Sequence, residues 1–355
     1  MKRTLTIILA FAAIACTKST VELDNSHNNE ITLTPVSGNI TKAAISDGVF
    51  RTDNHIALYA YFTPNVQAGA VTDYTAFNKQ YFNNTEFYCM NADSKGAKIW
   101  AGLTPYYWPA TGSMVFAGYS LDKPIAPNIE SKQNGTPSYD LNTDCLTITG
   151  YTQSNETDKT YDLLYFGRTN ESFDRRNLNV PVVFKHALSW IELHVKGTEG
   201  ALVEGRTWAI TKVEFKGIAT KGTFTYTGTE TESALKAVWT DQTVTPIGKS
   251  VIVFNEVSGT RARQELTSEF AKIENVNAGT LIVPQEAKYL YVTIEYKSPA
   301  NDTITEVIKV DIPSQTTTWE SGKKYTYYLT FSPQEILIAP TVETWPDSID
   351  ESITL

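Results

Sequence analysis

The residue with the clearest chemistry is a thiol near the start of the chain. In Ala13-Ile14-Ala15-Cys16 a small residue directly precedes a cysteine, the pattern of a lipobox, at which a peptidase cuts before a thiol that carries lipid. Met1-Lys2-Arg3 supplies a positive end, and Leu5 to Ala15 forms a nearly unbroken apolar run. That run is too short to cross ~30 Å of hydrocarbon, so residues 1–15 read as a signal peptide and not as a span. Cys16 is then the new N-terminus and the acyl acceptor, each buried CH₂ of the chain contributing ~0.8 kcal/mol to anchoring. Ala13 stands where leucine is commoner, and an ordinary secretory signal with an incidental cysteine is the alternative.

Other reactive side chains do not assemble into a catalytic pattern. The four histidines, His27, His55, His186 and His194, have no spacing that presents two metal ligands on one helical face, so no metal site is expected. His186 and His194 share strand parity but stand too far apart to ligate one ion, and read as ordinary strand histidines. Cys89 and Cys145 form neither a disulfide framework nor a metal spacing, and their pairing stays open. No Gly-x-Ser-x-Gly elbow, Walker loop or dinucleotide fingerprint occurs, and no cofactor is expected. Carboxylate pairs such as Glu22 with Asp24, or Asp347 with Asp350 and Glu351, lie in tails, which cannot hold a glycosidase geometry. An enzyme is therefore disfavoured. A net charge of -9 also argues against a nucleic-acid partner, which would need clustered Lys and Arg.

The elements that would position these groups are strands. The 19 Tyr, 15 Phe and many threonines favour sheet over helix. Thr17 to about Ile45 is a polar tether with one short alternating stretch, Ile31-Thr32-Leu33-Thr34. Ile56, Leu58, Ala60 and Phe62 fall on one face at period two and mark the first body strand. Strand-like runs follow at Met114 to Tyr119, Leu163 to Phe166, Val182 to Val195, Lys212 to Phe215, Thr223 to Tyr226, Val251 to Phe254, Leu290 to Tyr296, Val307 to Ile312 and Tyr325 to Phe331. Turn residues separate many of them, which predicts an all-β fold of sandwiches. Glu232 to Val238 is the one stretch that reads as a helical turn or two. A domain boundary is expected in the polar run Arg175 to Asn179, dividing residues 46–178 from 179–355. Tyr106-Tyr107-Trp108-Pro109 suits either an exposed aromatic platform or, more simply, core packing that ends at the proline.

Several strings together resemble one family. Val182-Val183-Phe184-Lys185-His186-Ala187-Leu188-Ser189 resembles a Phe-x-His strand, and Leu281-Ile282-Val283-Pro284-Gln285 a Pro-Gln segment, of fimbrillin-like proteins. Trp319-Glu320-Ser321-Gly322-Lys323-Lys324-Tyr325-Thr326-Tyr327 is similar to their late Trp-x-x-Gly-Lys-x-Tyr strand, and Val342-Glu343-Thr344-Trp345 to their terminal Val-x-x-Trp. The resemblance implies two transthyretin-like β-sandwich domains and export as an outer-membrane lipoprotein. It also implies polymerisation into a type V pilus with other pilin subunits by donor-strand exchange. A trypsin-like protease would remove the lipidated segment 16–45, with its strand, and open a groove. By position Lys42, followed by Ala43, matches the basic cleavage residue; Arg51 is the alternative.

The groove's filler is expected in the tail 334–355. Ile336, Ile338 and Val342 share parity as an inserted strand requires, Pro340 interrupts the ladder, and Trp345 closes the motif. Completion of its own domain's sheet is the competing expectation for that tail. Other functional readings that remain are a tip or anchor adhesin of the same family and a glycan-binding surface lipoprotein that never polymerises.

Overall fold

The computed structural model describes residues 30–35, 55–67, 71, 73–89, 99–121, 135–153, 162–172, 180–202, 208–228, 237–244, 250–257, 262–273, 280–297, 300–332 and 335–344. The fold is all-β. In chain order the strands of the first half are β1 (Leu33–Pro35), β2 (His55–Thr63), β3 (Lys79–Cys89), β4 (Trp100–Gly102), β5 (Ser113–Leu121), β6 (Thr136–Asp140), β7 (Cys145–Thr152), β8 (Leu163–Ser172), β9 (Val180–Val182), β10 (Lys185–His186) and β11 (Ser189–Gly197). The second half adds β12 (Ala209–Lys216), β13 (Ala219–Thr227), β14 (Ala237–Val244), β15 (Ser250–Asn255), β16 (Gln264–Glu265), β17 (Ala271–Lys272), β18 (Thr280–Ile282), β19 (Tyr289–Lys297), β20 (Thr303–Asp311), β21 (Lys323–Phe331) and β22 (Ile336–Thr344). Among the described residues no helix is long and apolar enough to cross a membrane.

An eight-stranded sheet runs β10-β8-β5-β2-β3-β4-β1-β9. Its two ends belong to one short segment, because only Val183 and Phe184 separate β9 from β10. Val180–Val182 runs parallel to β1, while Lys185 and His186 lie antiparallel to Tyr165 and Leu164 of β8. A segment that changes partner in this way makes a corner. The sheet therefore folds over on itself and encloses Ile31, Leu33, Ile56, Leu58, Phe82, Phe87, Trp100, Phe116, Phe166 and Phe184.

The outer face of β2 is also covered. Ala57 and Tyr59 pack with Leu146, Ile148, Tyr165 and Phe224 beneath a four-stranded sheet ordered β14-β13-β7-β6. Burial on both faces explains why His55–Thr63 reads as a nearly continuous apolar run rather than a clean alternation. β7 and β13 pair across the expected division at Leu178 and Asn179, with Thr225 opposite Thr147 and Tyr226 opposite Leu146.

A second sandwich joins the sheet β17-β11-β21-β22, to which β18 adds on β11, to the sheet β15-β12-β19-β20, to which β16 adds on β12. Ile191, Leu193 and Val195 of β11 and Tyr325, Tyr327, Leu329 and Phe331 of β21 alternate inward, facing Val213, Phe215, Val292 and Ile294. β11 and β21 are parallel over Trp190–Gly197 and Lys324–Phe331, so the chain between them is a crossover.

Two sequence expectations are corrected here. The run Val182 to Val195 breaks at the corner and again at Ala187 and Leu188, giving parts of β9, all of β10 and most of β11. Of the expected helical stretch Glu232 to Val238, residues 232–236 lie outside the described residues, while Ala237 and Val238 open β14 opposite Tyr226 and Thr225. At Ala237 pairing with a neighbouring strand outweighs the local preference of alanine for helix.

Candidate functional site

The short strand β1 has an enclosed seat in the first sheet. Leu33 stands opposite Trp100 of β4 on one flank and opposite Val180 of β9 on the other. The Ile31 amide donates to the Tyr106 carbonyl at 2.6 Å, and the Val180 amide donates to the Thr32 carbonyl at 2.8 Å. Glu30 forms a bridge with Tyr107. Ile31 and Leu33 are both 0% exposed. Burying two such side chains contributes roughly 3–6 kcal/mol together. Removing β1 would leave two ladders and an apolar trough unpaired.

One wall of this seat is the run Tyr106 to Pro109. The Tyr106 ring lies against Phe82 and Phe87, at centroid distances of 4.9 and 6.0 Å, and Trp108 packs edge-on to Phe116 at 5.7 Å. Gly102 is needed here, since a Cβ at that position would come within 2.6 Å of the Tyr106 ring. Tyr107 alone of the three rings is exposed, and the Tyr81 hydroxyl donates to its carbonyl at 2.7 Å. The aromatic run is thus core and wall, in line with the simpler sequence reading.

The tail is seated differently. β22 lies antiparallel along β21 from Ile336 opposite Phe331 to Thr344 opposite Lys323. Among the described residues it is an edge strand, paired on one flank only. Ile336 and Ile338 are half-buried against the second core, whereas Leu337 and Val342 are 55% and 47% exposed. Pro340 stands opposite Tyr327, a position an edge strand tolerates because one of its flanks faces outward. Val342 shares the parity of Ile336 and Ile338 but has run past the core. Trp345 lies outside the described residues, as do Cys16, Lys42, Ala43 and Arg51.

A family profile described as fimbrillin-like matches residues 41–345. The chain belongs to the fimbrillin-like family. Among solved structures, this fimbrillin-like chain is similar to a fimbrial protein from Bacteroides vulgatus, with a TM-score of 0.51 and 15% identity over 90% of this chain and 100% of that one. It is also similar to a candidate cell adhesion protein from Bacteroides ovatus (TM-score 0.44, 18% identity, 90% and 98% covered). A third is a fimbrial assembly protein from Parabacteroides distasonis (TM-score 0.39, 14% identity, 88% and 98% covered). At these identities the likeness concerns the fold. No curated protein matches the chain.

The fimbrillin-like strings prove to be structural joints. The Trp319 indole donates to the Tyr327 hydroxyl at 2.8 Å, which in turn donates to the Thr316 carbonyl at 2.9 Å. Burial pushes the Tyr327 phenol up to about 12, so it remains a neutral donor. Gly322, at φ +67°, turns the chain into β21, and its amide reaches the Leu188 carbonyl at 3.0 Å. Gln285 binds Ala219 on both backbone groups, its amide nitrogen lying 2.7 Å from the Ala219 carbonyl. That links the Pro-Gln segment to β13.

The Phe-x-His strand is the corner itself. Phe184 is buried, and His186 Nδ1 lies 2.6 Å from Asp162 Oδ2, at side-chain exposures of 1% and 0%. Burial pushes the Asp162 carboxyl up, and the adjacent His186 pulls against it. Sequence reading missed this pair because Asp162 follows an unpatterned polar stretch. His194 instead shares Glu192 with Lys272 and Lys324. Cys89 and Cys145 are not joined in a disulfide. Among the described residues no group of three or more His, Cys, Asp or Glu could hold a metal.

Proposed function

We propose that this chain is a structural subunit of a cell-surface fimbria, a type V pilus, assembled by protease-triggered donor-strand exchange and supporting adhesion. Lipid on Cys16 holds the precursor at the outer membrane. Cleavage after Lys42, or after Arg51, falls between β1 and β2 in sequence, so either cut separates β1 from the body. A tail from another copy then fills the vacated seat. The role is structural, with no catalytic step.

The observation that carries this reading is the contrast between two strand seats. β1 is paired on both flanks and sealed, while β22 is paired on one flank and half-open. A tail moved from the second kind of seat to the first gains a second ladder and deeper burial of its isoleucines. The glycan-binding alternative has less support, since Tyr106 and Trp108 are committed to packing.

N-terminal sequencing of the surface-exposed form tests the reading. A mature form that begins at Ala43 is expected. Recovery only of chains that begin at Cys16 would favour an anchor subunit or a lipoprotein that does not polymerise.

A further inference from the structure

We propose that the tail enters the β1 seat of a second copy in one register, with Glu335-Ile336-Leu337-Ile338-Ala339-Pro340 taking the places of Glu30-Ile31-Thr32-Leu33-Thr34-Pro35. This rests on the fimbrial reading above and adds to it the register and the direction. The two hexapeptides share Glu, Ile and Pro at their first, second and sixth positions, and set Ile against Leu at the fourth. They lie at opposite ends of the chain and occupy unlike seats.

The shared positions are those the seat makes strict. Ile31 and Leu33 are 0% exposed and point into the folded-over sheet; Ile336 and Ile338 are the residues of the tail that already face a core. Backbone groups alternate between the flanks along β1. Ile31 bonds toward Tyr106, whereas Thr32 bonds toward Val180. Pro35, two residues past Leu33, therefore turns its nitrogen toward the β4 flank, where the pairing of β1 with β4 is at Leu33 and Trp100. On the β9 flank, where β1 is paired as far as Pro35 opposite Val182, its missing N–H therefore costs no ladder bond. Pro340 suits the same place for the same reason.

Other registers conflict with the seat. A slip of one residue turns both isoleucines away from the core. A slip of two one way puts Pro340 at the position of Leu33, inside both ladders. A slip of two the other way puts Gln334 at the position of Ile31, in an apolar socket. Because the correspondence runs in the same chain direction, the incoming tail lies parallel to β9, as β1 does. The main enlargement is Leu337 for Thr32, which is 4% exposed, so the fit is tightest there.

Cysteine pairs in the full chain test the register. Thr34 stands opposite Pro181, so Ala339 of one copy falls opposite Pro181 of the next. With Cys16, Cys89 and Cys145 replaced by serine, the chain carrying A339C and P181C should give disulfide-linked multimers after protease treatment. The yield should be at least ~10-fold above that of L337C with P181C or T341C with P181C, which report slips of two residues. T34C with P181C in the uncut chain gives an intrachain bridge and confirms that the substituted chain is folded. Multimers mainly from L337C or T341C would overturn the register and leave strand exchange standing. No multimers from any of the three pairs would overturn both.

Discussion

Leu33 and Val180 stand opposite each other across a parallel ladder, at 0% and 1% exposure. The strand carrying Leu33 precedes the body, and the strand carrying Val180 makes the corner where the sheet folds over. In the uncut chain Leu33→Ala should cost about 3 kcal/mol in urea denaturation, through lost burial and an incompletely collapsed cavity. In a fibre built from cut subunits the same substitution should change nothing, because residue 33 has been removed. A loss below ~1 kcal/mol in the uncut chain would show that the seat is not the sealed socket described.

Asp162→Ala should destabilise the chain by about 3 kcal/mol, since it leaves His186 buried without its partner. Asp162→Asn keeps an oxygen near the ring and should lose less. Equal losses, read by thermal and denaturant unfolding, would mean that an amide oxygen cannot stand in for the carboxylate beside His186.

Acid should weaken the second sandwich through Glu192. Burial pushes this carboxyl up, but hydrogen bonds from Lys272 and His194 and the charge of Lys324 outweigh it, holding the group below its ordinary 4.5. A depressed folded value gives stability that is present in full above the unfolded value and is lost as pH falls through the folded one. Glu192→Gln should therefore lower the Tm at pH 7, by the equivalent of about 1–3 kcal/mol, and the gap to wild type should close toward pH 3. A gap that stays constant with pH would exclude this carboxylate as the cause.

Replacing Cys16 with serine should abolish incorporation of a fatty-acid analogue and release the precursor from the membrane. Undiminished label on the variant would rule out lipid at this position.

How much of this was legible in sequence depended on how apolar each strand is. β19 and β21 were plain, because apolar residues alternate through Leu290 to Tyr296 and Tyr325 to Phe331, and β5 showed as the apolar run Met114 to Tyr119. β3 was missed. Lys79, Gln80, Asn83 and Asn84 interrupt its pattern, and its two buried rings, Phe82 and Phe87, stand five residues apart and so break a period of two. Ile31-Thr32-Leu33-Thr34 was readable as a strand, but nothing local says that Val180 would lie beside it. The corner at Val183 and Phe184 was equally hidden, since the apolar run continues through it while the partner changes. In the tail, parity identified Ile336 and Ile338; the exposure of Val342 was not readable, because it depends on where the facing core ends.

If a neighbour's tail replaces β1, fibres require both a cut that removes β1 and an intact tail. Electron microscopy of the purified chain before and after cleavage at Lys42, beside a chain ending at Ser332, measures this directly. Fibres should appear only from the cleaved chain with its tail, and the shortened chain should stay a folded monomer after the same cut. Fibres of normal length from the shortened chain, or from the uncut one, would contradict strand exchange.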